Sequence, residues 1–297
     1  MAVKDNNIKN LLMRAEVIAQ TNWLQAINLL EKATENYPRE RAIYLTLGDV
    51  YNRQKKFTQA IESYQKALTI DPKDEHLLFI IGNCNLSLGE YSMALVYYNQ
   101  VAENTPELLY NKSLCLAYSG QHEESLKHLK ELINKVKDNI NVYYFLVEEL
   151  LRLQRFDEAL HWLEEVQKRF GILRHQQILK GFVYNFKKVW LRSYYCFKTA
   201  DELKEIQNPD HLHSYGVAAW QIGQLDKAID ILNKAITINP YISILHEDLI
   251  RILIQQESYE LARIALGRAT NYLSQMNPIL LLLKEKLAKL YPHLQED

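Results

Sequence analysis

The sequence predicts an all-α fold: a solenoid of stacked helical hairpins closed by a C-terminal capping helix. Three observations carry that reading. Small residues recur at Ala26, Ala60, Ala94, Ser125, Ala159, Ser193, Ala228 and Ala262, in steps of 34, 34, 31, 34, 34, 35 and 34. Within each period, apolar residues fall three and four apart in two runs, each marking one face of a helix. Prolines are few, seven in 297 residues, and lie mostly at period boundaries, where a residue lacking an N–H stops a helix. A unit this short cannot bury its own apolar face, so copies stack and bury it together.

Taken in order, unit 7–40 keeps Trp23, Ala26, Leu30, Ala33 and Pro38 but carries Arg14 where the next unit has glycine. Unit 41–74 is the clearest. Tyr44, Leu47, Gly48 and Tyr51 form one helical face, and Phe57, Ala60, Ile61, Tyr64, Ala67 and Leu68 form a second. The polar stretch 52–56 between them reads as a turn, and Pro72 after Asp71 ends the second helix. Gly48, Ala60 and Ala67 let two backbones approach while aromatic rings fill the space beside them. Unit 75–105 keeps Leu78, Ile81, Gly82, Tyr91, Ala94 and Tyr98. Units 106–139 (Ser113, Ser125, Leu129), 140–173 (Tyr143, Leu146, Phe156, Ala159, Leu163) and 174–208 (Gly181, Tyr184, Trp190, Phe197, Ala200) are degenerate. Unit 209–242 is strong again, with Leu212, Gly216, Leu225, Ala228, Leu232, Ala235 and Pro240; unit 243–276 keeps Leu249, Leu253, Tyr259, Ala262, Leu266 and Ala269. Residues 278–291 read as a lone final helix with Lys284, Glu285, Lys286 and Lys289 on a polar outer face. With no Gly/Ser-rich or low-complexity stretch, the expectation is one continuous domain over 1–297.

The order of aromatic or leucine, Leu-Gly, Tyr, Ala, aromatic, Ala and Pro over 34 residues resembles the tetratricopeptide repeat. That resemblance implies a right-handed superhelix in which the first helix of each unit lines a concave groove, mainly through unit positions 2, 5, 6, 9, 12 and 13. One subgroup of such proteins grips the C-terminal carboxylate of chaperones with lysine at position 5 and asparagine at position 9. Here position 5 reads Leu11, Leu45, Phe79, Tyr110, Tyr144, Ile178, His213 and Glu247, and position 9 reads Ala15, Asp49, Asn83, Leu114, Glu148, Phe182, Val217 and Arg251. No lysine stands at either place, which argues against that role. The resemblance instead implies an aromatic groove for a partner segment, built from Phe79, Tyr110, Tyr118, Tyr144, Phe182 and Phe186. Phe145 borders it, and Asn83, Asn111, Asn141 and Glu148 are placed to bond a peptide backbone. The competing reading shifts the register by one in the degenerate units and turns the same rings into core between repeats.

Composition narrows the rest. Thirty-five basic and 36 acidic residues leave a net charge of −1, without the basic stripe that nucleic-acid binding needs. The mildly basic runs 127–137 and 186–192 read as solvated helix faces. Residues 1–20 lack the pattern of a secretory signal. The longest apolar run considered as a span, 279–283, is five residues, so no membrane insertion is expected and cytoplasm is the simplest location. The three cysteines fit a reducing compartment. Cys84 and Cys115, at equivalent positions of neighbouring units, read as small buried apolar residues rather than a redox pair, and Cys196 reads as core.

Nothing in the sequence assembles a catalytic, cofactor or metal site. There is no His-Glu-x-x-His, Cys-x-x-Cys or Gly-rich phosphate loop. His211 and His213 begin a helix, where solvated or capping roles are expected. His122, His128 and His161 lack ligand partners at helical spacing. The pairs Glu123–Glu124, Glu148–Glu149 and Glu164–Glu165 diverge by about a third of a turn and do not converge on a proton. The expected function is therefore a non-catalytic protein–protein interaction module: a scaffold, adaptor or chaperone that holds a protein or peptide segment. The alternatives are a structural subunit using the convex face or chain ends, and a sensor for a peptide or small ligand.

Overall fold

A computed structural model describes residues 2–273 and 277–291. The last three residues of unit 243–276 lie outside the described residues, as do position 1 and the tail from 292. Among the described residues there are seventeen helices and no strands. They are α1 Ala2–Thr21, α2 Trp23–Asn36, α3 Arg41–Arg53, α4 Phe57–Ile70, α5 Glu75–Ser87, α6 Tyr91–Tyr98, α7 Pro106–Tyr118, α8 His122–Lys135 and α9 Ile140–Arg152. Then follow α10 Phe156–Phe170, α11 Arg174–Phe186, α12 Trp190–Leu203, α13 Pro209–Gln221, α14 Leu225–Ile238, α15 Ser243–Gln255, α16 Tyr259–Tyr272 and α17 Pro278–Leu290. Every expected unit supplies two helices, and the chain is an all-α array of helical hairpins. It falls into two compact units, 1–153 and 154–297. The first holds the hairpins α1/α2, α3/α4, α5/α6 and α7/α8 and ends with α9. The second opens with α10, continues with the hairpins α11/α12, α13/α14 and α15/α16, and ends with α17.

The turn between first and second helices is set by one backbone conformation. The middle residue of each three-residue turn is left-handed, with φ between 56° and 80°, at Lys55, Gly89, Gly120, Gln154, Lys188, Gly223 and Glu257. Only three of these seven are glycine, although glycine alone enters that region freely. The first hairpin differs: Asn22 alone separates α1 from α2, and its side chain accepts the Gln25 N–H at 3.1 Å. The 31-residue step has a local origin as well. The missing residues come out of α6, which has 8 residues where α4 and α8 have 14.

Close approach within a hairpin explains the glycine of the repeat. A Cβ on Gly48 would lie 2.4 Å from the Tyr64 ring, one on Gly82 2.4 Å from Tyr98, and one on Gly181 2.7 Å from Phe197. These rings share one place in the second helix and are fully buried. Where that place holds the smaller Leu129, Leu163 or Leu266, the glycine position carries Ser113, Val147 or Ile250. Two serines standing for the small alanine of the second helix are satisfied by the same neighbour. Ser125 Oγ donates to the Ser113 carbonyl at 2.9 Å and Ser193 Oγ to the Gly181 carbonyl at 2.8 Å, so burial leaves neither hydroxyl unpaired.

The final helix departs in part from expectation. Leu280, Leu283 and Leu287 are buried, but the outer side exposes Leu281 and Leu282 as well as the expected lysines. A helix is amphipathic only as far as its apolar stripe is narrow, and five consecutive apolar residues after Pro278 make that stripe too wide to bury.

Candidate functional site

The first helices present the residues of interest. In the first compact unit, α7 carries Glu107, Tyr110, Asn111 and Leu114, and α9 carries Asn141, Tyr144, Phe145 and Glu148. Each set is spaced three, four and seven apart, one stripe of a helix. The stripes meet where Tyr110 stands edge-on to Phe145, ring centres 5.8 Å apart. Beside them lies a cleft of about 310 Å³ lined by Pro106, Glu107, Tyr110, Leu132, Val136, Asn139, Asn141 and Val142. Tyr110 is 38 % exposed, Asn141 and Glu148 are exposed, and Tyr144 and Phe145 are half-buried. Thr105 caps α7 through the Leu108 N–H at 3.2 Å and Asn139 caps α9 through the Asn141 N–H at 3.2 Å, which fixes both helix starts at the cleft.

The other sequence-derived positions divide into different environments. Asn83 Oδ1 accepts from Tyr98 Oη at 2.6 Å and from Asn111 Nδ2 at 2.9 Å. These two asparagines thus tie α5 to α6 and α7. The same arrangement occurs one hairpin earlier, where Tyr64 Oη donates to Asp49 at 2.7 Å. Phe79 is half-buried with its ring 5.8 Å from Tyr98. Tyr118 is exposed at the end of α7 and stacks on Tyr91, 4.9 Å between ring centres. In the second compact unit, Phe186 repeats that geometry on Phe156 at 5.4 Å. Phe182 is half-buried, edge-on to Phe197 and near His211.

Electrostatics separate two adjacent acids. Glu149 is buried, accepts from His122 Nδ1 at 2.9 Å and lies 3.4 Å from Arg152. Its neighbour Glu148 points outward, and burial among neighbouring groups holds its carboxyl above the usual range, with Arg152 opposing and Glu149 adding to the shift. In the second compact unit the histidine expectation fails. Asn208, not a histidine, caps α13. His211 is half-buried beside Phe182, and burial together with Arg174 and His175 lowers its pKa. His213 Nε2 contacts Asp248 at 2.9 Å in a buried network, in which Arg251 donates to Asp248 at 2.6 Å and Asn277 and Ser243 both donate to Glu247. Helical spacing signals only part of this network: Ser243, Glu247, Asp248 and Arg251 fall three and four apart on α15, whereas His213 comes from α13 and Asn277 from the N-cap of α17. Cys84 and Cys115 are buried, and burial pushes both thiols up to about 11; the half-buried Cys196 is raised likewise. Among the described residues no helix is long and apolar enough to cross a membrane.

Tetratricopeptide-repeat family models match residues 17–75 and 212–241. Among curated proteins, the chain is 25% identical over 142 residues to the BBSome complex member BBS4 of Bos taurus, covering 47% of this chain and 27% of that protein. Among solved structures, it is similar to the C-terminal part of a repeat-containing protein from Cytophaga hutchinsonii (TM-score 0.64, 12% identity, 79% of this chain and 97% of that one). It is also similar to the hetero-tetramer of Cut9 and Hcn1 from the APC/C (TM-score 0.54, 16% identity, 93% of this chain and 55% of that one). The chain spans about a quarter of the length of that curated relative. The structural likenesses establish the fold.

Proposed function

The chain is a tetratricopeptide-repeat protein, and from that premise we propose that it is a non-catalytic module holding a segment of a partner protein on the first-helix face. Proteins of this family generally mediate protein–protein interaction and assembly. One observation carries the reading: at Tyr110 and Asn141 an exposed ring and an amide line a cleft that takes a side chain, instead of closing it, with Phe145 edge-on beside Tyr110. Tyrosine suits such a surface, offering a rigid ring and a hydroxyl that can stay wet or bond a ligand. Asn83 and Asn111 act in this reading as supports, since they bond each other and Tyr98. Phe79, on the preceding first helix α5, borders the face in this reading. The test is capture from native lysate by wild type, Tyr110→Glu and an outer-face control, Leu261→Glu. A protein retained by wild type and the control but lost by folded Tyr110→Glu supports the reading. Equal capture by all three sinks it.

A second reading, a structural subunit of a larger assembly, draws on α17, where Leu281 and Leu282 stand exposed at the end of the described chain. It predicts a concentration-independent oligomer by light scattering that Leu282→Glu dissolves. A monomer at all concentrations would exclude self-assembly through that helix.

A further inference from the structure

We propose that the partner segment on the α7–α9 face is basic, with a lysine or arginine set beside its apolar anchors. The inference rests on the first-helix reading above and names the ligand's chemistry. Of the residues lining the cleft beside Tyr110, Glu107 alone is charged. Glu148 lies on the same stripe of α9 as Asn141, Tyr144 and Phe145. Neither Glu107 nor Glu148 forms an ion pair within the described residues, although acids nearby do. Glu149 takes both His122 and Arg152, and Glu124 takes Lys127.

The two unpaired acids differ in what the fold gains from them. Glu107 is in the first turn of α7, where a carboxylate is favoured by the helix dipole. Glu148 has no such reason. It lies in the C-terminal half of α9, where the dipole opposes it, and a second carboxylate follows it in sequence. Its surroundings already disfavour its charge. Arg152 only partly offsets that cost, and a bound cation would relieve the rest. The rings between the two acids suit the same ligand. Tyr110, Tyr144 and Phe145 offer faces and edges to a guanidinium or ammonium and its methylene stem. Lys112 is buried, and Arg152, which favours the Glu148 charge, is drawn to Glu149 at 3.4 Å. An acidic segment would add a third negative charge to two unpaired ones.

The experiment is selection of a random dodecapeptide phage library on the full chain, with counter-selection on the charge-neutral Tyr110→Ala so that only clones needing this face are kept. Affinities of the kept peptides are then compared on wild type and on Glu107→Gln/Glu148→Gln. Both glutamates are exposed, and unchanged helix content checks that the isosteric variant is folded. The expected result is enrichment of lysine or arginine next to apolar residues, about fivefold weaker binding to the double variant, and loss of that difference at high salt. Kept peptides without basic enrichment, or with equal affinity for the double variant, overturn the basic-ligand inference and leave the first-helix reading standing. If every selected peptide binds Tyr110→Ala as well as wild type, both fall together.

Discussion

Replacing Gly48 by alanine tests the packing rule of the hairpins. The added Cβ would meet Tyr64 Cε1 and Cδ1 at 2.4 and 2.5 Å, so the ring must retreat by about 1 Å to reach ordinary contact at 3.4 Å. Tyr64 has little room to do so. It is fully buried among Ala60, Ala67, Leu77, Ile81 and Cys84, and its hydroxyl is held by Asp49 at 2.7 Å. Overpacking of this kind costs about 2–3 kcal/mol. Tyr64→Leu alone should cost about as much, through lost buried area and an Asp49 left without its donor. The two together should cost little more than Tyr64→Leu, since Leu129, Leu163 and Leu266 coexist with Ser113, Val147 and Ile250 at the glycine position. The expected coupling is about 2 kcal/mol. Urea unfolding by circular dichroism measures it, with amide exchange of α3 and α4 as the local readout, because repeat arrays can unfold in parts. Additivity of the two changes within about 0.5 kcal/mol would refute the steric argument.

Three further predictions follow from the same structure. Glycine at Lys55, or at Glu257, should stabilise the chain by about 0.5–1 kcal/mol, as relief of a left-handed side chain outweighs the added freedom of the unfolded state; lower thermal stability in both variants would contradict the turn geometry. With their thiols raised to about 11, the three cysteines should resist alkylation at pH 8 in the native state and react on denaturation, and fast native labelling would show that the thiols are not desolvated. Burial lowers the pKa of His128, His175 and His211, so the unfolded chain binds more protons near pH 6.5. Stability should then be full above that pH and fall as pH drops below it, with raised Glu148 opposing only lower, toward the carboxylate range. Thermal melts unchanged between pH 7.5 and 5.5 would refute this.

The helices, their order and their ends were legible because they follow from local rules. Three-and-four spacing placed both helices of unit 41–74, and α3 and α4 end within a residue or two of where the polar turn and Pro72 predicted. Even the degenerate units kept enough period to place α7 to α12. Whether a groove residue serves a ligand or the scaffold was not legible, because spacing states which face a side chain is on and not what meets it there. Asn111 shares its stripe with Tyr110, yet its amide is joined to Asn83 of α5, which also accepts from Tyr98. Phe182 repeats the position of Asn83 but is turned against Phe197. In the network around Glu247 and Asp248, Arg251 falls at helical spacing, but His213 and Asn277 left no trace in the periodicity, since they lie 35 and 30 residues from their partners. The sequence by itself determined the repeat, the all-α fold and the near-even mix of charges, all of them consequences of period and composition. Only the tertiary structure decided which carboxylates are paired, which rings stay open and which glycines are compulsory, because these depend on distances between side chains brought together by stacking.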